Sequence, residues 1–393
     1  MNEPPQGPPP PFSASAATAD GLWVPIGSTD TASLASSSAP RRWDDPPEEE
    51  PPQEQDHVIS MVFVAGQVIP SLLSREIQQI SFTPAGNFLV TLVPLAGNFS
   101  STHEDGSTLQ MYNFPSCSQV SLAAPGRGIR VHGSFSTAHG ASTLSPSGAV
   151  ASAWHTPIGS GDSGIAANTV EIYDMWRSRR RLKANVPLQA PLALSQDGTR
   201  LAAVSARDST RIMIANVGKE MLQMSRLLPY HLGEVTHLRF VPDGSAVVSV
   251  ARDGSFRMTS VTTGRTLLKV ELDMRMPASM MEVSLDGRTA VAVWGREVTI
   301  WNLQDGNVIH YNINQSRHHQ TEGWPMAISP DCKYLLCRTE DGFDVADVET
   351  GRFRGDFVTG GSPLTAGGFS PDNKWIAVGN YNGQVSLFQV ITV

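Results

Sequence analysis

The sequence predicts an all-β fold assembled from seven copies of one short unit of strands and tight turns. A turn resembling Ser-Pro-Asp-Gly recurs seven times along the chain, and a short apolar run follows each one. Such runs are typical of strands that are buried on both faces. The 34 Gly and 28 Pro among the 393 residues fit a chain with many turns.

The last copy, residues 369–390, shows the unit most clearly. It begins with the turn Ser370–Asn373, whose proline presets φ, and an apolar strand follows. Asn382-Gly383 then accepts the positive φ of a two-residue hairpin. In the next segment Val385 and Leu387 fall on one face, with the intervening residues on the other. This period of two predicts a strand rather than a helix.

The spacing of the seven turns gives the size of the repeating unit. Each turn motif has five residues, and its fifth residue serves as the reference point. From one turn to the next, these fifth residues are 62, 50, 46, 43, 45 and 41 residues apart. The later steps match the roughly 40–45 residues of a four-stranded propeller blade. We therefore predict a seven-bladed β-propeller. The fifth residues are Gly86, Gly148, Gly198, Gly244, Gly287, Cys332 and Asn373.

The third predicted strand of each copy carries a large residue followed by Asp, Asn or a similar residue, as at Trp301. In this respect residues 57–393 resemble the WD-repeat propeller family in a degenerate form. The resemblance implies a hydrogen-bonded tetrad of His, Ser or Thr, Asp and Trp in a blade. The fourth copy is nearest, and its matching residues are His231, Ser249 and Asp253. Because Thr259 stands at the tryptophan position, we predict an incomplete, tetrad-like structural set.

The last copy ends at Val393 after three predicted strands, one fewer than a blade needs. The β-branched run Val58–Ala65 lies before the first turn and belongs to no copy. An open blade would expose a strand edge, which proteins avoid. We therefore predict that Val58–Ala65 closes the ring as the missing fourth strand, as the family resemblance also implies. The propeller domain is then residues 57–393.

Residues 1–56 are predicted to be a disordered, acidic, Pro-rich tail. They carry ten acidic and two basic side chains, which accounts for the whole net charge of −8. Pro4–Pro11 favours polyproline II, so a ligand for an SH3- or WW-type domain is an alternative to a solvating tail. Residues 57–393 hold 27 charges of each sign, which makes nucleic acid an improbable partner.

The composition favours the cytoplasm, with the nucleus as an alternative. The N-terminus has no secretory signal, and no apolar run approaches the ~18–20 residues of a membrane helix. The three cysteines, Cys117, Cys332 and Cys337, do not have the number or spacing of a disulfide framework or a metal site. We predict buried thiols, with Cys332 and Cys337 on opposite faces of their sheet, and no cofactor.

One dense basic cluster spans Arg177–Lys183. Its cations are Arg177, Arg179, Arg180, Arg181 and Lys183. We expect it to form the hairpin between the third and fourth strands of the second blade. The candidate ligands are phosphate, an acidic peptide and the acidic run Asp44–Glu54 of the same chain, and a solvated turn is the alternative. The absence of interleaved aromatic residues argues against nucleic acid.

A second basic pair, Arg352 and Arg354, precedes the last blade in the sequence Arg-Phe-Arg-Gly. It resembles the Phe-Arg-Arg-Gly signature of phosphoinositide-binding propellers, except that Phe353 separates the two arginines. The resemblance implies a phosphate clamp, so a phosphoinositide is an alternative ligand.

Two long insertions, Pro94–Ser107 and His155–Asn168, lie between predicted second and third strands. Such loops are common recognition sites, although a surface loop also accepts extra length at little cost. Gly159–Gly164 fits a dinucleotide fingerprint and part of a chymotrypsin-like nucleophile segment. A strand rather than a helix should follow it and no triad is evident, so neither activity is predicted. His318-His319 lack the further ligands of a metal site.

Taken as a set, these features favour a non-enzymatic scaffold that binds other proteins. The repeat is present throughout the predicted domain without a convergent catalytic set. A phosphoinositide-binding propeller is the first alternative. An enzyme with its site at the central channel is the second, because fold alone does not give function.

Overall fold

The computed structural model describes residues 61–70, 76–83, 86, 88–94, 106–117, 129–132, 142–144, 149–155, 168–174, 179–273, 276–313, 324–359 and 361–392. Within these ranges 28 strands form seven four-stranded antiparallel sheets. No helix in this part of the chain is long and apolar enough to cross a membrane. The predicted all-β fold with seven repeats is confirmed.

The strands are numbered in chain order. They are β1 Met61–Pro70, β2 Gln79–Phe82, β3 Phe88–Pro94, β4 Gly106–Asn113, β5 Ile129–His132, β6 Ser142–Leu144, β7 Ala149–His155, β8 Asn168–Asp174, β9 Arg179–Val186, β10 Leu188–Leu194, β11 Arg200–Ser205, β12 Asp208–Val217, β13 Leu222–Leu227, β14 Val235–Phe240, β15 Ala246–Ala251, β16 Ser255–Ser260, β17 Thr266–Glu271, β18 Met280–Val283, β19 Thr289–Trp294, β20 Glu297–Asn302, β21 Val308–Asn312, β22 Trp324–Ile328, β23 Tyr334–Arg338, β24 Gly342–Asp347, β25 Phe353–Val358, β26 Leu364–Phe369, β27 Trp375–Asn380 and β28 Gln384–Thr392.

Each of the first six sheets takes four consecutive strands, from β2–β5 in the first to β22–β25 in the sixth. The seventh joins β26–β28 with β1. The first strands of neighbouring sheets pack side by side from β6 to β26, and β26 packs on β2. The sheets are therefore arranged as blades, with the first strand of each innermost.

β1 is the outer strand of the seventh sheet. It pairs antiparallel with β28, from Met61 opposite Thr392 to Pro70 opposite Gln384. The sequence placed the end of this strand at Ala65, which is wrong. A register shift between Ala65 and Val68 accommodates one extra residue in β1, as in a β-bulge, so pairing continues to Pro70. Residues 58–60 lie outside the described residues.

The seventh sheet also packs directly on the first. Thr365 Oγ1 donates a hydrogen bond to the carbonyl of Ile77 over 2.7 Å, and the Ile77 amide donates to the carbonyl of Asn380 over 3.3 Å. A Cβ at Gly379 would lie 2.6 Å from Cβ of Ile77. Only glycine permits this approach of the two sheets.

The recurring turn has one hydrogen-bond pattern in four of the described sheets. In the fifth sheet Ser284 Oγ donates to Asp286 Oδ1 over 2.6 Å and accepts from the Thr289 amide over 2.9 Å. The serines that do this are Ser195, Ser284, Ser329 and Ser370. The fifth turn residue has φ between 57° and 71° wherever it is described, which explains the preference for Gly or Asn there.

Cys332 and Cys337 are both buried and pack in one cluster between the fifth and sixth sheets. The prediction that they point to opposite faces is wrong. Cys332 lies in the turn at a φ of 61°, so the alternation of the strand does not extend to it. Burial raises the pKa of Cys332 well above its ordinary value, and burial with the nearby Asp344 raises that of Cys337 to about 12.

Candidate interaction surfaces

The two ends of the sheets carry different connections. Turns from second to third strands and the links to the next sheet share one end, called here the upper end; residues 251–255 and 228–234 are examples. Turns from first to second and from third to fourth strands share the lower end, as at residues 241–245 and 260–266. This division follows from antiparallel pairing within each sheet.

The fourth sheet carries a buried hydrogen-bond network at its upper end. His231 Nδ1 lies 2.6 Å from Ser255 Oγ, and His231 Nε2 lies 2.8 Å from Ser249 Oγ. Ser255 Oγ donates to Asp253 Oδ1 over 2.6 Å. Because Ser255 gives its one proton to the carboxylate, it accepts from the imidazole N–H at Nδ1, and Ser249 donates to Nε2.

The network contains all three residues that the sequence singled out, His231, Ser249 and Asp253. The structure joins His231 to Asp253 through Ser255, which sequence reasoning missed. Its position directly after the Asp-Gly turn was the available signal, since a hydroxyl two residues after Asp bonds that carboxylate readily.

The electrostatics of the network favour a neutral histidine and an ionised aspartate. Burial first, and then the charge of Arg257, lower the pKa of His231 to about 4, against the opposing effect of Asp253. Burial raises the pKa of Asp253, but hydrogen bonds from Ser255 and the Gly233 amide, together with the charge of His231, outweigh it and lower the net value. A buried imidazole with both nitrogens engaged is a structural group.

The same network fixes the loop between the third and fourth sheets. The amides of Leu232 and Gly233 donate to Asp253 Oδ2 over 3.1 and 3.0 Å. The His231 amide donates to the carbonyl of Thr210 in the third sheet over 2.9 Å. A Cβ at Gly233 would lie 2.7 Å from the Asp253 amide nitrogen, so glycine is required for this close contact.

Two large side chains project from this fixed loop into solvent. Leu232 is 73% exposed and Tyr230 is 54% exposed. The Arg211 guanidinium lies 5.6 Å from the centre of the Tyr230 ring and is itself paired with Asp208 at 2.9 Å. We call Tyr230 and Leu232 the upper apolar pair. Sequence reasoning missed it, because loop residues carry no periodicity to show that His231 is buried while its neighbours are exposed.

Comparison with known proteins supports the family resemblance. The family model for the WD domain, G-beta repeat, matches residues 223–259, which include the His231 network. The β-propeller domain of Cps50 (Swd1) from Myceliophteria thermophila matches with a TM-score of 0.60 at 11% identity, over 83% of this chain and 99% of that one. The chain therefore has a β-propeller fold, and residues 223–259 match the WD repeat. A search of curated protein sequences gives no significant match.

The fifth blade departs from the WD-repeat pattern that it resembles. Trp301 occupies the family's tryptophan position and stacks on Phe256 of the fourth blade, with ring centres 4.0 Å apart. Its buried Nε1 has no hydrogen-bond partner within the described residues. Ala292 stands five residues after Gly287, as Ser249 stands five after Gly244, and cannot accept this hydrogen bond.

The basic cluster lies in the outer strand of the second blade. Arg179, Arg180, Arg181 and Lys183 are in β9, and Arg179 lies opposite Asp174 in the strand register. β8 and β9 form the expected antiparallel hairpin, and these four residues lie in its second strand. Residues 175–178, which include Arg177, lie outside the described residues.

Two cations of β9 contact other residues of the propeller. The exposed Arg181 donates from Nη2 to the carbonyl of Val217 over 3.4 Å. Lys183 Nζ lies 3.7 Å from Glu171 Oε1, with the lysine side chain 50% exposed and the glutamate 1% exposed. The ammonium group of Lys183 thus faces a buried carboxylate on one side and solvent on the other.

Arg354 has a structural contact at the lower end of the sixth blade. Its Nη2 lies 2.9 Å from Asp347 Oδ2, and both side chains are mostly buried. Asp347 Oδ1 also accepts from the amide and hydroxyl of Thr350, each over 2.9 Å. Arg352 is exposed and precedes β25. The two arginines therefore differ in environment, which does not favour their acting as a paired phosphate clamp.

The ends of both predicted insertions belong to strands. Pro94 pairs with Ser107, and His155 pairs with Asn168. Residues 95–105 and 156–167, with the glycine-rich segment 159–164, lie outside the described residues, as do residues 318 and 319. In the described part of the chain no three His, Cys, Asp or Glu side chains gather as metal ligands.

Proposed function

We propose that this propeller is a non-enzymatic scaffold that binds another protein through the upper apolar pair. The observation that carries the proposal is the exposure of Tyr230 and Leu232 on a backbone that Asp253 and Thr210 hold in place. A loop that is already ordered loses little entropy on binding. An aromatic side chain beside an arginine is also the composition typical of an interface hot spot.

The fold and family support the same function. WD-repeat propellers are generally protein-interaction scaffolds, and the proposal extends this to a particular surface of one member. The chemistry of the buried groups is compatible with it. His231 is neutral and bonded at both ring nitrogens, and burial raises the pKa values of the three cysteines, which keeps them as thiols at neutral pH. We propose a cytoplasmic location on composition alone.

Phosphoinositide binding has less support. Lipid phosphate could recruit Arg354 only by competing with Asp347, which holds it in a mostly buried ion pair. Removing an arginine from a buried carboxylate leaves that carboxylate without its counter-ion, which is costly. Arg352 alone cannot provide a two-arginine clamp.

Affinity purification with quantitative mass spectrometry tests the scaffold proposal. The test variant combines Tyr230→Ser with Leu232→Ser. Met221→Ser is the matched control, because Met221 is 63% exposed but lies in the lower turn of the same third blade that precedes the loop. We expect specific partners to fall at least about tenfold in the test variant and to persist in the control. Unchanged partners across equally stable variants would contradict the proposal.

A further inference from the structure

We propose that the acidic run Asp44–Glu54 docks on the basic strand β9 of the same chain. This contact is separate from the upper apolar pair and goes beyond the proposed scaffold function. It involves the outer strand of the second blade, near the lower end. Three observations support this proposal. They are the end at which the chain enters the propeller, the distance that the acidic run can span, and the opposite charges of the run and the strand.

The chain enters the propeller at the end where the basic strand starts. Pro70 pairs with Gln384, which follows the upper turn 380–383. Because β1 runs antiparallel to β28, Met61 lies toward the lower end. β9 pairs antiparallel with β8 and begins at Arg179, opposite Asp174, at the lower end. The segment before β1 and the cations of β9 therefore lie at the same end.

The acidic run is close enough in sequence to reach β9. The seventh and second blades both flank the first, since β26 packs on β2 and β5 contacts β7. With strands spaced about 4.8 Å apart around a central channel, outer strands two blades apart are separated by roughly 30 Å. An extended chain from Met61 back to residue 54 spans about 25 Å, and back to residue 44 about 60 Å.

The charges are complementary. The run has six carboxylates and no cation, while β9 carries Arg179, Arg180, Arg181 and Lys183. The carboxylates on the neighbouring strand are Glu171, which is buried, and Asp174, which lies opposite Arg179. The two strands therefore have an excess of two positive charges. Arg130 in β5, the outer strand of the intervening first blade, adds a cation along the path.

The acidic run suits side-chain contacts better than strand addition. β9 is the edge strand of its sheet, but the run contains two Pro-Pro pairs, at Pro46-Pro47 and Pro51-Pro52. Proline lacks the amide hydrogen that a β-ladder requires. Carboxylates of the run would instead approach the exposed Arg181 and the half-exposed ammonium of Lys183. A docked run would cover the basic strand and compete with acidic ligands from other molecules.

Zero-length carbodiimide cross-linking of the full chain tests this contact. It joins an amine to a carboxylate only when they are in direct contact. We expect a bond between Lys183 and a glutamate of residues 48–54, in monomers and at a yield independent of protein concentration. That yield should fall at least about fivefold between about 50 mM and about 500 mM salt, because exposed charges are screened. Acetylation of Lys183 in a parallel sample reports that its half-exposed amine reacts.

Two comparisons make the outcome decisive. Arg179→Ser combined with Arg181→Ser should reduce the tail cross-link at an unchanged melting temperature, which shows that the variant is folded. Lys333, an exposed lysine in the lower turn of the sixth blade, should not join the acidic run. The proposal is overturned if Lys183 forms no bond to the run, if Lys333 links to the run equally well, or if the tail cross-link occurs only in dimers.

Discussion

His231 has the side chain most often used for acid–base catalysis, yet its surroundings make it structural. Ser249 and Ser255 occupy its two nitrogens, and the ring is 1% exposed. It therefore has neither a free nitrogen nor a route to substrate. Its contribution is to join the loop that carries Tyr230 and Leu232 to the strands beneath it.

We predict that His231 makes the propeller sensitive to mild acid. The unfolded chain binds a proton on this imidazole near pH 6.5, whereas the folded chain does so only near pH 4. Between these values the unfolded state holds more protons, so the free energy of unfolding falls as the pH is lowered. The loss at pH 4 relative to pH 7 should approach about 3 kcal/mol from this residue.

Urea unfolding across this pH range measures the effect. His231→Asn should be less stable at pH 7 and should show a shallower fall in stability between pH 6.5 and 4. His310→Asn is the control, because it removes an exposed imidazole that also contacts a hydroxyl, on Thr299. If wild type and His231→Asn had the same slope, the buried imidazole would not be the source.

At the scale of turns and strands, the elements that could be predicted are those whose hydrogen bonds join residues close together in the sequence. The Ser-x-Asp turn could be recognised because its serine, aspartate and glycine satisfy one another within a few residues, as Ser284 and Asp286 do. The position of Arg179 in a strand was not predictable from turn residues, because no Gly, Pro or Asn marks residues 175–178. The exposure of Leu232 depends on Asp253, 21 residues away.

The fifth blade permits a test of how much stability is lost when the buried Trp301 Nε1–H lacks a hydrogen-bond acceptor. Ala292 pairs with Thr299, so it is the diagonal neighbour of Trp301. We predict that Ala292→Ser supplies an acceptor for the buried Trp301 Nε1–H. Satisfying a buried donor should raise the free energy of unfolding by about 1 kcal/mol.

A double-mutant cycle with Trp301→Phe isolates this hydrogen bond. Phenylalanine keeps an aromatic ring against Phe256 but removes the N–H donor. Ala292→Ser should therefore stabilise the chain only when Trp301 is present, with a coupling energy of about 1 kcal/mol in chemical denaturation. Equal effects in both backgrounds would mean that the added hydroxyl bonds elsewhere.

At the scale of the whole molecule, the first and last described strands, β1 and β28, pair in one sheet. Counting strands in the sequence was sufficient to predict that a strand near residue 60 pairs with the last one, since every other copy has its own fourth strand. Counting could not predict the shift between Ala65 and Val68 or the tight contact of Gly379 with Ile77. Both depend on how neighbouring sheets fit together.

We predict that β1 is required for a stable propeller. A chain without residues 1–70 would leave β28 as an unpaired edge from Gln384 to Thr392, beside the contacts that join Thr365 and Asn380 to Ile77. Its melting temperature should fall by roughly 10 °C or more relative to a chain without residues 1–56, since several kcal/mol of pairing are removed. It should also aggregate, because an exposed strand edge pairs with other chains. The chain without residues 1–56 retains β1, so it should melt close to the full chain. Equal melting temperatures for the two truncated chains would show that the contacts between the first and seventh sheets hold the molecule together without β1.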